Sequence, residues 1–84
     1  MQEDLMECIK GERLAIGIKH CRKAAESEEI KYLLIAEDAD RGVLDMLLAD
    51  CAKRNIEVRK VPSMSELGKS AGIDVGAAAV AVLI

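Results

Sequence analysis

The residues best suited to chemistry lie in segment 17–23, which reads Gly-Ile-Lys-His-Cys-Arg-Lys. The glycine ends a short apolar run, and the pattern after it predicts a helix whose first two turns hold cations and a histidine but no acid. At helical spacing Lys19, Arg22 and Lys23 leave one face, while the face around Cys21 is apolar. The first N–H groups of a helix and the positive end of its dipole favour anions. The segment predicts a phosphate-binding helix start; the alternative is a solvated surface face.

The sequence shows no side chain in the setting of an activated nucleophile. His20 is the single histidine, and no serine or cysteine stands in a pattern that would activate it. The three cysteines, Cys8, Cys21 and Cys51, lack CxxC spacing and a histidine pair, so we expect buried, reduced thiols and no metal site. The segment 68–70, Gly-Lys-Ser, lacks the first glycine of a phosphate-binding P-loop. We therefore predict a protein that is not an enzyme and that uses no cofactor.

Length and composition predict one soluble globular domain that spans residues 1–84. The chain is 51% hydrophobic and 32% charged, and its net charge is −3 with a pI of about 5.1. No apolar run approaches the roughly 20 residues of a membrane span, and the acidic N-terminus does not resemble a targeting signal. We expect a cytoplasmic location and no membrane partner. A negative net charge is unusual for a protein that binds nucleic acid.

Hydrophobic periodicity predicts four helices and four strands in alternation. Helices are expected at 2–10, 17–27, 43–52 and 63–71, and strands at 13–16, 31–36, 56–61 and 77–84. The acids of segment 37–40 could cap the third helix, and Ser63 and Glu66 have the spacing of a capping box for the fourth. Alternation of this kind places helices on both faces of a sheet. The predicted fold is an α/β protein, a three-layer α/β/α sandwich with a central four-stranded mixed sheet.

A loop at 73–76 is the second feature that could serve a ligand. Ile73, Asp74 and Val75 place two aliphatic side chains beside a carboxylate. Exposed aliphatic side chains favour a partner that covers them, whereas the alternative is that they pack inward against the sheet. Tyr32 is the single aromatic residue, which excludes proteins that stack successive bases on rings. Recognition of RNA by shape, with a base resting on aliphatic side chains, stays compatible with the sequence.

Four blocks of the sequence together resemble the kink-turn RNA-binding ribosomal proteins. This is the superfamily of the archaeal large-subunit protein L7Ae, and the likeness is strongest to its small bacterial members. The resemblance covers nearly the whole chain after residue 13. The blocks occur in the family's order and spacing, at 17–23, 33–40, 61–69 and 72–81.

The resemblance implies the same α/β/α sandwich and a non-enzymatic function. Family members bind a sharply bent RNA stem-loop, so the implied partner is a kink-turn stem-loop, with ribosomal RNA as a candidate, and a monomer is expected. In the family the helix that starts at this glycine enters the RNA major groove at tandem G·A pairs, and an acid and a loop hold an extruded base. By match, the implied RNA-binding residues are Gly17, Lys19, His20 and Lys23, together with Asp40, Ile73, Asp74 and Val75. Arg22 is added from its position on the cationic face.

Three positions depart from the family pattern. The best-known members have Asn and Glu where this chain has Lys19 and His20, and bacterial relatives more often have Lys and Gln. Met64 replaces a lysine that many relatives carry. With the acidic pI, these departures favour weaker or more selective RNA binding. The alternative is a protein-protein interaction or regulatory module on the same fold, with RNA binding weakened or lost.

Overall fold

A computed structural model describes residues 11–27 and 29–84 of the protein. The strands are β1 (Leu14–Ile16), β2 (Ile30–Ala36), β3 (Val58–Val61) and β4 (Ala79–Leu83), and the helices are α1 (Ile18–Glu26), α2 (Arg41–Lys53) and α3 (Met64–Ser70). The helix predicted at 2–10 falls outside the described residues. The other seven predicted elements are confirmed. None of the helices in the described part of the chain is long and apolar enough to cross a membrane.

The four strands form one mixed sheet in the order β1-β4-β2-β3. β4 pairs antiparallel with both β1 and β2, and β2 pairs in parallel with β3. In this register Leu34 of β2 lies between Val80 of β4 and Arg59 of β3. As a result β1, β2 and β3 all run in one direction, and their carboxyl ends lie at the same edge of the sheet.

Helices cover both faces of the two central strands. Successive residues of β2 and β4, such as Leu33, Leu34, Ala81 and Val82, are all buried although their side chains point to opposite faces. α1 packs against α2 and the β1–β4 side of the sheet, and α3 packs against β2, β3 and β4. The predicted three-layer sandwich is therefore confirmed.

β3 begins two residues later than the predicted strand at 56–61. The backbone N–H of Ile56 donates to the carbonyl oxygen of Cys51 at 2.9 Å, and Asn55 has a φ of 57°. Asparagine tolerates this left-handed conformation better than most residues. Residues 55 and 56 thus close α2 instead of opening the strand. The predicted edge position of this strand is confirmed by the sheet order.

Two of the three cysteines lie in the core between α1 and α2. Cys21 and Cys51 are free thiols with no solvent exposure, as predicted, and Cys8 falls outside the described residues. Burial raises the pKa of Cys21 to about 12 and also raises the pKa of Cys51. Both thiols are therefore protonated at neutral pH, and a protonated thiol is a poor nucleophile.

We expect the two core thiols to resist alkylation in the native protein. In a Cys8→Ser variant, iodoacetamide should label Cys21 and Cys51 only as fast as the protein unfolds, which mass spectrometry would measure. A thiol of the unfolded chain has its ordinary pKa of 9.0, whereas folded Cys21 keeps its proton up to about 12. The free energy of unfolding should thus fall as the pH rises from 9 towards 12. Labelling of the native protein at the rate of a free thiol would contradict the assignment.

Candidate nucleic-acid interface

The three described helices all begin at the sheet edge where β1, β2 and β3 end. The N–H of Gly17 donates to the carbonyl oxygen of Ala79 at 2.9 Å. The N–H of Ala36 donates to the carbonyl oxygen of Ala78, also at 2.9 Å. The N–H of Glu37 donates to the carbonyl oxygen of Val61 at 2.8 Å. We call this edge, formed by residues 16–20, 36–42, 61–66 and 73–79, the helix-start edge. It brings together the segments that carry the predicted site residues.

Side chains of the protein itself cap two of the three helix starts. Asp40 Oδ1 accepts the N–H of Gly42 at 2.8 Å and caps α2, as predicted. Ser63 Oγ accepts the N–H of Glu66 at 3.1 Å, which is the forward bond of the predicted capping box on α3. The carboxylate and the hydroxyl satisfy N–H groups that would otherwise need an outside acceptor.

Asp38 is one of the acids predicted to cap the third helix, but it instead connects two segments of the edge. Its Oδ1 accepts the N–H of Met64 at 2.8 Å, across 26 residues of chain. The bond ties the end of β2 to the start of α3. An aspartate after a buried strand is a capping signal for the next helix. Which helix it serves depends on the parallel pairing of β2 with β3, and that pairing is a tertiary feature.

The start of α1 differs because no side chain in the described residues caps it. Gly17 has a φ of 96°, a conformation that favours glycine, and its carbonyl oxygen accepts the N–H of Cys21 at 2.9 Å. Helix geometry leaves the N–H groups of residues 18–20 without an acceptor inside the helix. The first turn also holds no acid. The positive end of α1 is therefore open to an anion from outside.

The three cations predicted to share one face of α1 are not equivalent. Lys19 and Lys23 are exposed. Arg22 is half-buried, and its Nε lies 3.6 Å from Asp50 Oδ2 on α2. This ion pair links α1 to α2, and the buried Nε makes no hydrogen bond within the described residues. Lys19 and Lys23 are the cations of this face most available to a ligand.

His20 is exposed beside these lysines, and its ring is held by the backbone. Its Nδ1 lies 2.9 Å from the carbonyl oxygen of Ile16, the last residue of β1. A carbonyl oxygen only accepts hydrogen bonds, so Nδ1 is the donor. The other ring nitrogen, Nε2, is left for an outside partner.

In the 73–75 loop one aliphatic side chain is exposed and the other packs inward, so each of the two predicted arrangements applies to one residue. Val75 is 70% exposed and Asp74 is exposed, whereas Ile73 is half-buried and packs against the core. The N–H of Ile73 donates to the carbonyl oxygen of Gly68 at 3.0 Å. The loop then runs back along α3 until the N–H of Ala77 donates to the carbonyl oxygen of Met64, also at 3.0 Å. The loop exposes one aliphatic side chain and one carboxylate beside α3.

A close approach between α3 and this loop depends on the absence of a side chain at Gly68. A Cβ built there would overlap the carbonyl oxygen of Val75 and would lie 3.1 Å from the Cα of Gly76. Gly76 in turn packs on Met64, whose Cβ would lie 3.1 Å from an added Cβ. The backbone of the loop therefore rests directly on the backbone of the helix.

The structure brings most of the predicted site residues to one edge, but they differ in how available they are to a ligand. Gly17, Asp40 and the loop 73–75 all lie there, but one carboxylate oxygen of Asp40 is used in capping α2. Its second oxygen, which does not take part in the cap, is the more available of the two to a ligand. Among the described residues, no group of three or more histidines, cysteines or acids is placed to hold a metal ion. The open features of the edge are the α1 start, Lys19, His20 and Val75, and the exposed Lys23 lies one turn further along α1.

Comparison with known proteins gives concordant matches. The model of the ribosomal protein L7Ae/L30e/S12e/Gadd45 family matches residues 1–84. RNA-binding protein YbxF of Geobacillus stearothermophilus is 39% identical over 75 residues, which cover 89% of this chain and 92% of that protein. An RNA-binding protein of Halalkalibacterium halodurans is 45% identical over 69 residues, which cover 82% of this chain and 84% of that protein.

A solved structure supports the fold independently of sequence. The 15.5kD RNA-binding protein of Giardia lamblia matches with a TM-score of 0.85 at 16% identity, over 95% of this chain and 68% of that chain. At this identity the likeness concerns the fold, which is the same arrangement of helices around a four-stranded mixed sheet. The family match spans the full length of the sequence. The chain belongs to the ribosomal protein L7Ae/L30e/S12e/Gadd45 family.

Proposed function

We propose that this protein is a non-enzymatic RNA-binding protein that recognises a bent, internally looped stem of the kink-turn type through the helix-start edge. The observation that carries the proposal is the start of α1. It is the one described helix start without a side-chain cap, and Lys19 and Lys23 are exposed beside it. The names of the relatives from Geobacillus and Halalkalibacterium support RNA as the ligand. We place the protein in the cytoplasm as a monomer, with ribosomal RNA as the candidate source of the stem.

An RNA phosphate fits the open start of α1 on electrostatic grounds. Its oxygens would accept hydrogen bonds from the backbone N–H groups of residues 18–20, which point out of the first turn. The ammonium groups of Lys19 and Lys23 would add attraction without reading sequence. Arg22, held by Asp50, would contribute less to phosphate binding than either lysine. Because phosphate contacts release counterions, affinity should fall as the salt concentration rises.

An unstacked base fits the other part of the edge. Single-stranded bases are commonly held by an apolar surface together with polar groups that bond their edges. Val75 supplies the apolar surface, and Asp74 and the second oxygen of Asp40 supply acceptors. The half-buried Ile73 would fix the loop instead of touching the base.

The test is a titration against two RNAs at two salt concentrations. One is a generic kink-turn stem-loop, and the other is the same RNA with its G·A pairs replaced by Watson–Crick pairs. We expect tight binding to the first RNA and much weaker binding to the second, because the replacement removes the bend but preserves the charge. Equal, weak binding to both RNAs would contradict the proposal.

A second candidate function is docking of a protein partner. Val43 and Met46, one helical turn apart on α2, are 47% and 58% exposed, and the protein has a net charge of −3. Exposed apolar side chains of this size favour contact with another protein. The same purified sample separates the two candidates. Nucleic-acid absorbance and a monomeric mass would favour RNA binding, and a nucleic-acid-free oligomer would favour protein interaction.

A further inference from the structure

Two exposed cations lie beside the helix-start edge on its β3 side. Arg41 is the first residue of α2, and Lys60 lies near the end of β3, an outer strand of the sheet. Both line a groove of about 440 Å³ between α2 and β3, together with apolar side chains such as Leu44 and Val58. Within residues 11–27 and 29–84, neither cation forms an ion pair. We call Arg41 and Lys60 the β3-side pair.

The placement of Arg41 does not serve the stability of α2. A cation in the first turn of a helix lies at the positive end of the helix dipole, where acids are preferred. The first turn of α2 holds no acid, and Lys60 adds a second positive charge to the same groove. Glu37 is the one carboxylate among the described residues that line this groove, and it pairs with neither cation. An anion from outside would relieve the repulsion between the two cations.

The strand order separates the β3-side pair from the lysines of α1. β1, which leads into α1, and β3 are the outer strands of the sheet, three strand spacings or about 14 Å apart. β2 lies between them, and the carboxylates of Asp38 and Asp40 follow it. Lys19 and Lys23 therefore lie on one side of an acidic centre, and the β3-side pair lies on the other.

An RNA strand matches this distribution of charge. A nucleotide within a strand has a phosphate on each side of its sugar, and the carboxylates at the centre of the edge would repel both phosphates. If the base rests at Asp40 and Val75, the phosphates of the strand are attracted towards the two flanks, where the cations lie. A separation of about 14 Å is wider than one phosphate group, so a ligand that contacts both flanks has several phosphates.

We propose that Arg41 and Lys60 bind backbone phosphates of the same RNA that contacts the start of α1, so that the RNA crosses the whole helix-start edge. This inference rests on the proposed function, because it requires RNA at this edge. Phosphate contacts fix the position of the RNA and do not read its bases. A lysine on an outer strand also discourages pairing with another chain, and that role alone predicts no effect on RNA affinity.

The experiment measures how the affinity for the kink-turn stem-loop depends on salt in the wild type and in the double variant Arg41→Gln, Lys60→Gln. Glutamine removes each charge but keeps a long polar side chain over the groove. The slope of log affinity against log salt should become shallower by about 1.4 to 1.8, because each phosphate contact contributes about 0.7 to 0.9. The affinity should fall at least about tenfold at roughly 0.1 M salt, and the difference should nearly vanish near 1 M.

The double variant Lys53→Gln, Arg54→Gln is the matched control. Both residues are exposed at the opposite end of α2, so the control removes the same charge from the same helix. It should keep the wild-type affinity and slope. Thermal unfolding provides a second measurement. The Tm of the β3-side variant should not fall, because a charge leaves the positive end of the helix dipole.

A third variant tests whether one RNA contacts both flanks. Adding Lys19→Ala and Lys23→Ala to the β3-side variant should give a loss of slope equal to the sum of the two separate losses, because the pairs are far apart. Tight binding with an unchanged slope in the β3-side variant would overturn the inference alone, and so would an equal loss in the control. No binding of the stem-loop by the wild type would contradict the proposed function and the inference together.

Discussion

Gly68→Ala should lower the free energy of unfolding by about 2 kcal/mol, the cost typical of forcing one extra methyl group into a packed site. In most helices the same change is stabilising by up to about 1 kcal/mol, because alanine is the better helix former. Here the added Cβ would overlap the carbonyl oxygen of Val75. A backbone atom cannot turn aside as a flexible side chain can, so the helix and the loop must separate.

Urea unfolding and calorimetry would measure this loss. For a domain of this size, about 2 kcal/mol corresponds to a fall in Tm of roughly 8–16 °C. Ser65→Ala is the matched control, because it places an alanine at an exposed position of the same helix. It should leave the Tm nearly unchanged. A Gly68→Ala variant as stable as the wild type would show that the loop does not rest on α3.

The same substitution should weaken RNA binding under conditions where the variant is still folded. Displacing the carbonyl of residue 75 moves the exposed Val75 side chain, which is the proposed support for an unstacked base. Folded protein with unchanged affinity would exclude the loop from the RNA interface. That result would not contradict the proposed RNA contacts of α1.

Replacing both Lys19 and Lys23 by alanine should weaken binding to the kink-turn stem-loop by at least about tenfold. The reason is the loss of two charges beside the uncapped start of α1. The slope of log affinity against log salt should fall by about one for each lysine that contacts a phosphate. Stability should change little because both side chains are exposed.

Lys53→Ala is the matched control for this experiment. Lys53 is also exposed, but it is the last residue of α2 and lies away from the helix-start edge. Its loss removes the same kind of charge and should leave both the affinity and the salt slope close to those of the wild type. If the control and the double variant lose equal affinity, the attraction comes from overall charge and not from the start of α1.

Much of the fold could be predicted because local patterns and packing agree along the sequence. The apolar run of β2 indicated a strand buried on both faces, and the stripe of α2 indicated a core-facing helix. The strand was confirmed, as were the caps at Asp40 and Ser63. In the stripe of α2 only Leu44, Leu47 and Cys51 are buried, whereas Val43 and Ala52, which belong to the same stripe, are exposed. Caps and periodicities concern residues a few positions apart, and neighbouring residues are close in any fold.

The sequence by itself therefore determined the elements, their order, the buried thiols and the cationic start of α1. The tertiary structure decided what those residues can reach. It paired Arg22 with Asp50, tied Asp38 to Met64, and left α1 as the uncapped helix start among the three described at one edge. It also placed the carbonyl of Val75 against Gly68 and separated the exposed Val75 from the half-buried Ile73. Each of these joins different elements of the fold, and such contacts follow from strand pairing and helix packing, which local periodicity does not encode.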